Sequence, residues 1–175
     1  MRFVVTGEWS RNRLLQMIVV LYAFYVSGLW LTNALLYFSK MSLRTDSVVE
    51  YYLGSPERFL SPRSYLGMLE IAHFHLFAMG ILLLVLTHLM LFVPIGNRIK
   101  AWLIAVPFLA AFLDEGAGWL VRFAHPGFAY LKIAGFLLLQ TSLAMLIGIS
   151  LWAVLVGSQD NYDGDESVPD AAGDP

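Results

Sequence analysis

The sequence predicts an all-α protein, a bundle of four transmembrane helices. Of its 175 residues, 58% are hydrophobic and 14% are charged, whereas soluble domains carry roughly 25% charged residues. The apolar residues fall into four stretches of about 20 residues or more, the length that a helix needs to cross about 30 Å of hydrocarbon. Backbone groups inside lipid must be hydrogen-bonded within the segment, so these stretches are predicted to be helices.

The four predicted spans account for most of the chain. A short amino-terminal segment, residues 1–13, precedes the first span. The first apolar stretch is about twice as long as the core of a secretory signal, and no A-x-A cleavage pattern follows it, so we expect it to remain in the membrane. The spans are predicted at residues 14–38, 65–93, 101–123 and 128–156.

Two segments outside the spans differ in composition. The loop of residues 40–63 combines apolar residues such as Val48 and Tyr52 with Pro56 and Pro62, and we expect it to lie along the membrane or against a neighbour. The carboxyl-terminal tail, residues 157–175, holds six acidic residues and no basic residue. Its composition predicts a disordered tail.

Basic residues predict the orientation in the membrane. Arg11 and Arg13 adjoin the start of the first span, and Arg98 and Lys100 lie between the second and third. With an even number of spans, the positive-inside rule places both termini in the cytoplasm, so we expect a multi-pass protein of the inner, or cytoplasmic, membrane. The chain has no run rich in Lys and Arg, and nucleic acid is therefore not expected as a partner.

The absence of cysteine limits the chemistry that this chain can perform. With no Cys in the sequence, disulfides, thiolate nucleophiles, iron–sulfur ligation and covalent attachment of c-type haem are excluded. Any metal or redox chemistry must therefore use histidine, methionine or carboxylate side chains.

Three histidines in the second span are candidates for a functional site. At about 100° per residue, His73 and His88 share a stripe with Glu70, whereas His75 lies about 140° from Glu70, near the opposite face. About 22 Å of helix rise separates His73 from His88, which is too far for one shared metal ion but close to the spacing of axial ligands to two stacked haems. Ionisable residues inside membranes are rare and usually functional, so His73 and His88 are predicted to ligate haem iron.

Carboxylates of the third span are predicted to reach the depth of these histidines. If the second and third spans are antiparallel, Asp114 and Glu115 come level with the segment that holds His75. A carboxylate beside a histidine can relay protons to a quinone, hold a metal ion or orient an axial histidine. His125, in the turn that follows, could reach the edge of the same site, and Arg122 could pair with Glu115. The predicted quinone and proton site consists of Glu70, Asp114, Glu115 and Arg122.

These features resemble the b-type cytochrome membrane subunits that anchor respiratory dehydrogenases and hydrogenases. The shared features are four spans, two histidines about four turns apart on one helix, no cysteine and very short loops. The resemblance covers residues 14–156 and implies haem b at His73 and His88, with His75 and His125 as further candidate ligands. Two bis-histidine haems need four axial ligands, so a second copy or another subunit would supply some of them, unless one haem is bound or a methionine takes part. The candidate methionine ligands are Met17, Met79 and Met145.

The leading hypothesis is an integral-membrane subunit of an electron-transfer complex that binds haem b, a quinone or both within the four-helix bundle. Such a subunit would be a non-catalytic redox or anchor part of a larger membrane oxidoreductase. Its expected partners are the lipid bilayer and either other subunits of a membrane complex or a second copy of itself. One alternative is an anchor or assembly subunit whose buried histidines and acids only form interhelical hydrogen bonds. The other is a metal or proton transport element.

Overall fold

The structure, a computed structural model, describes residues 13–165, with side chains as far as residue 154. Two 3-10 turns, Pro56–Arg58 and Pro126–Phe128, lie between the longer helices. No strand occurs among the described residues, which confirms the predicted all-α class. In chain order the α-helices are α1 Arg13–Lys40, α2 Thr45–Leu53, α3 Tyr65–Met90, α4 Asn97–Phe123 and α5 Ala129–Asp165.

Four of these helices, α1, α3, α4 and α5, are long and apolar enough to cross a membrane. Their outward surfaces are covered by large apolar side chains such as Phe24, Phe74 and Phe112, which are 80%, 74% and 68% exposed. In water so many exposed rings would be costly, whereas in lipid they are surrounded by hydrocarbon. The chain is therefore a multi-pass membrane protein built as a helical bundle.

Helix α5 occupies the centre of the bundle. It packs against α1, α3 and α4, and its contact with α4 is the most extensive in the molecule. In the most apolar stretch of the fourth span, 44% of the residues are buried, against 17% in α1 and 17% in α3. Groups on α5 are therefore the best shielded from lipid and from water.

The buried apolar residues form two clusters, one toward each end of the bundle. The first includes Val26, Leu83 and Ala110. The second includes Tyr37 and Met68, and Tyr37 stacks on Phe136 of α5 with ring centroids 3.7 Å apart. On α1, α3 and α4, the stretch between the two clusters carries polar side chains, and it is there that the candidate site lies.

Helix α2 lies in the segment that was predicted as a loop, and it packs against α4 and α5. Val48 is 0% exposed and Tyr52 8% exposed, so one face of this short helix is buried. Gly54 follows the last residue of the helix. Its φ of +80° favours glycine, and a Cβ at this position would collide with the Leu60 carbonyl oxygen. The chain then returns, and the Arg63 backbone N–H donates to the Tyr52 carbonyl oxygen at 3.0 Å.

Helix α5 is longer than the predicted fourth span, although its membrane-spanning part ends at Val154. Helix α5 continues to Asp165, so the first nine residues of the predicted tail, 157–165, are helical rather than disordered. A helix that is already formed can propagate at little cost, and no proline interrupts the sequence before Pro169. The rest of the predicted tail, 166–175, and most of the amino-terminal segment, 1–12, lie outside the described residues.

Candidate functional site

A histidine and a glutamate join α3 to α4 between the two apolar clusters. Nδ1 of His75 lies 3.1 Å from Oε2 of Glu115. An ionised carboxylate can only accept hydrogen bonds, so with Glu115 ionised the Nδ1–H group of His75 donates and Nε2 is left for another partner. The Glu115 side chain is 19% exposed and that of His75 is 51% exposed. His75 is therefore the more exposed member of the pair.

A second ion pair joins α4 to α5 beside the first. Nζ of Lys132 lies 2.7 Å from Oδ1 of Asp114, and it donates a hydrogen bond of 2.9 Å to the Asp114 backbone carbonyl oxygen. The approach to Oδ1 is a close ion pair rather than an aligned hydrogen bond. The two side chains are only 8% and 18% exposed. Because an unpaired charge at this depth would be costly, each group compensates the other.

A glycine of α5 allows this close approach to α4. A Cβ at Gly135 would lie 3.0 Å from both the backbone N and the Cα of Asp114. Any larger residue would force the two backbones apart, as at other membrane helix contacts built on small residues. Gly135 therefore helps to bring Lys132 within reach of Asp114.

A smaller pocket of about 130 Å³, partly open to the outside of the bundle, lies beside the two ion pairs. His75, Asp114 and Glu115 line one part of it, and Asn33 of α1 adds another polar side chain. The remaining lining residues are apolar or small, namely Leu76, Met79, Gly80, Leu83, Phe108, Ala111, Phe112 and Leu139. The smaller pocket thus brings side chains from α1, α3, α4 and α5 to one place.

A larger groove of about 530 Å³ runs between α1 and α3. It shares Asn33, His75 and Met79 with the smaller pocket, so the two spaces meet at these side chains. Other residues of its wall are exposed on the outside of the bundle, such as Tyr25 at 66% and Ile81 at 50%. A molecule dissolved in the bilayer could therefore enter the groove from the side and reach His75.

Tyr52 of α2 lies close to Asp114 and Glu115. Burial raises the pKa of its hydroxyl above the usual value, and the nearby negative charges of Asp114 and Glu115 raise the pKa further. Tyr52 therefore stays a neutral phenol at all ordinary pH values. Its ring packs against Gly118 of α4, where an added Cβ would approach the Tyr52 hydroxyl to 2.5 Å.

Comparison with known proteins gives one match. The model of the family Aq_1264_TM, described as a transmembrane helical domain, matches residues 42–161. The chain belongs to the Aq_1264_TM family. No curated protein matches the chain, and no solved structure matches it.

The Aq_1264_TM match covers α2, α3, α4 and most of α5. His75, Asp114, Glu115 and Lys132 all lie inside it, so both ion pairs belong to the family domain. Helix α1, which supplies Asn33 and one wall of the groove, precedes the matched residues. The candidate site is thus built by the family domain together with α1.

Three predicted site residues of α3 lie outside this arrangement. Glu70, His73 and His88 are exposed on the outer surface of the bundle. The ring contacts of the two histidines are with Phe74 and Phe92 nearby in the sequence. The structure therefore separates the two predicted haem ligands from the carboxylates of α4.

The other two predicted residues have local roles at the end of α4. Nε of Arg122 donates to the Arg63 carbonyl oxygen at 2.9 Å, while Glu115 is engaged by His75. His125 precedes a 3-10 turn, and its Nδ1 accepts a hydrogen bond of 2.9 Å from the Gly127 backbone N–H.

The described residues contain no group of three or more His, Asp or Glu side chains arranged to hold a metal ion. The site consists instead of two adjacent ion pairs that border the smaller pocket. Asn33 was not predicted as a site residue, although a lone amide in the middle of an apolar span is a signal that could have identified it.

Proposed function

We propose that this membrane protein is a subunit of an electron-transfer complex and binds a quinone in the groove between α1 and α3, with the head group at His75. The observation that carries the proposal is the position of His75, which lines both the lipid-facing groove and the smaller pocket beside the ion pairs. A quinone has a flat polar head and a long apolar tail. The groove is mostly apolar, and His75 and Asn33 are polar groups in its lining.

The His75–Glu115 pair suits the chemistry of a quinone head. Glu115 holds the imidazole by Nδ1, which leaves Nε2 to contact a carbonyl or hydroxyl oxygen of the ring. Reduction of a quinone takes up two electrons and two protons. A protonated imidazole can donate one of those protons, and the second would come from water. Glu115 would compensate the positive charge of the imidazolium, and the electrons would come from a redox group of a partner subunit.

The openness of His75 favours this function over a purely structural anchor. A histidine that served only to hold helices together would be expected between them, with both ring nitrogens satisfied. The His75 side chain is instead 51% exposed and borders the groove. The well-buried pair of Lys132 and Asp114 is better suited to hold helices together.

Haem b at His73 and His88 stays a prediction. Both histidines lie on the outer surface of α3, so a haem held there would be shared with a second copy or another subunit. A reduced-minus-oxidised spectrum of the purified protein would show the α band of a b-type haem, and His88→Ala should abolish it.

The test of the proposed function is a titration of the protein in detergent with a short-chain quinone, with the affinity measured by isothermal calorimetry. We expect His75→Ala to weaken binding at least about tenfold, the loss of roughly one good hydrogen bond. His73→Ala is the matched control, because it removes the same side chain two residues away on the outer face. Equal affinities for both variants and the unaltered protein would overturn the proposal.

A further inference from the structure

A third cavity, which we call the surface pocket, lies at the end of the bundle where α1 ends and α3 begins. Its volume is about 380 Å³. Lys40 is the last residue of α1, and Ser64 caps the first turn of α3, so the pocket lies at the level where two spans leave the membrane. Its lining includes Lys40, Tyr51, Arg63, Met68, Ile71 and Glu115.

Two of the basic residues at this end of the bundle form no ion pair with a described residue. Arg44 is paired with Asp46 at 2.7 Å, and Arg58 with Glu50 at 3.2 Å. Lys40 and Arg63 both line the pocket, and neither forms an ion pair with a described residue. The pocket therefore carries two positive charges that a ligand could neutralise.

Arg63 is held in place rather than free to move away. Its guanidinium carbon lies 4.0 Å from the centroid of the Tyr51 ring, a cation–π contact. Its backbone N–H donates to the Tyr52 carbonyl oxygen at 3.0 Å. A guanidinium fixed in this way presents several donors in a fork that matches a phosphate group.

In the part of the chain that the structure describes, Glu115 is the one acid that lines the pocket, so the two cations leave an excess of one positive charge. Oε2 of Glu115 is already engaged by His75 at 3.1 Å. Met68 and Ile71 form an apolar wall of the pocket, where Met68 is buried and Ile71 is 42% exposed. A cationic end next to an apolar wall at the membrane surface matches a molecule with an anionic head and an acyl chain.

We propose that the surface pocket binds the phosphate group of an anionic phospholipid, held by Lys40 and Arg63, with an acyl chain lying along Ile71. The recognition chemistry, a phosphate oxygen between a guanidinium and an ammonium, is shared with free inorganic phosphate. The apolar wall favours the lipid. The surface pocket shares Glu115 with the His75–Glu115 pair, but the phosphate is held by Lys40 and Arg63, so this proposal does not depend on the proposed function.

The test is native mass spectrometry of the full chain, titrated with phosphatidylglycerol, with phosphatidylcholine and with inorganic phosphate alone. We expect phosphatidylglycerol to bind about tenfold more tightly than phosphatidylcholine, since each basic residue adds a moderate attraction to an anionic lipid. The double variant Lys40→Gln/Arg63→Gln should lose this preference and keep its affinity for phosphatidylcholine. Arg44→Gln, which removes an ion-paired cation outside the pocket, should behave like the unaltered protein.

Three results would overturn the proposal. The first is equal affinities for the two lipids in the unaltered protein. The second is an Arg44→Gln variant that loses the preference as strongly as the double variant. The third is saturable binding of inorganic phosphate without any lipid preference, which would assign the pocket to a free anion. If the double variant fails to fold by circular dichroism, Lys40→Glu alone decides the question, because Lys40 is exposed and its replacement disturbs no core packing.

Discussion

His75 of α3 and Glu115 of α4 lie 3.1 Å apart, Nδ1 to Oε2, at the border of a partly open pocket of a membrane bundle. His73, only two residues earlier, is exposed on the outer surface of the same helix. Neighbouring histidines of one helix thus meet different surroundings, because two residues correspond to a rotation of about 200°. This separation makes each histidine a control for experiments on the other.

Removal of Lys132 should destabilise the bundle. Lys132→Met leaves the Asp114 carboxylate largely buried without its partner, and we expect a loss of about 3–5 kcal/mol in the free energy of unfolding. Denaturant unfolding in detergent, followed by circular dichroism, would measure the loss. The double variant Asp114→Leu/Lys132→Met should regain much of it, since both charges are then gone. A double variant that is less stable than Lys132→Met would show that the stranded charge is not the cause.

A glycine substitution in α4 should loosen α2. In Gly118→Ala the new Cβ would approach the Tyr52 hydroxyl to 2.5 Å, so the tyrosine ring has to move, and we expect a loss of about 1–3 kcal/mol. Gly116→Ala is the matched control two residues away, where a Cβ meets nothing within 4 Å. It should be neutral or stabilising by up to about 1 kcal/mol, given the helix propensity of alanine. Similar unfolding midpoints for the two variants would contradict this account.

Replacing Gln140 with leucine should stabilise the protein. Nε2 and Oε1 of Gln140 are buried without a hydrogen-bond partner among the described residues, and a buried unpaired polar group costs about 1–3 kcal/mol. Gln140→Leu removes that cost at similar volume. Thermal unfolding in detergent should show a higher midpoint. Ser142→Ala is the comparison, because Ser142 already bonds to the Leu138 carbonyl oxygen, and it should show no gain.

The four spans could be predicted from the sequence because their length and apolar content are dictated by the thickness of hydrocarbon. Helix α2 could not. It has nine residues, too few to be stable alone, and it is held by the burial of Val48 and Tyr52 against α4 and α5. The extension of α5 to Asp165 was also missed, since a polar acidic composition does not prevent a helix from continuing.

The inward face of α3 could not be predicted either. Its buried residues include Ala72, Leu83 and Leu86, whereas Phe74 and Leu84 are exposed to lipid and equally apolar. Lipid is as apolar as the protein core, so a membrane helix need not show a polar outer face. Helical periodicity separated His75 from His73 and His88 correctly, but it gave no sign of which side faced the bundle.

The depth of Glu115 in the membrane could be predicted because it follows from the lengths of antiparallel spans. Antiparallel spans of known length bring Glu115 level with His75, and the structure shows the two in contact. Lys132 and Asn33 complete the site from α5 and α1, and their places depend on helix rotation and packing, which residue spacing within one span does not encode.

The most direct test of the proposed quinone site is photolabelling with an azidoquinone in membranes, followed by peptide mapping by mass spectrometry. We expect the label to attach to residues lining the groove near Asn33, His75 and Met79, and excess unlabelled quinone or His75→Ala to abolish the labelling. Labelling confined to the outer surface around His73 and His88, or labelling unaffected by His75→Ala, would contradict a quinone site at His75.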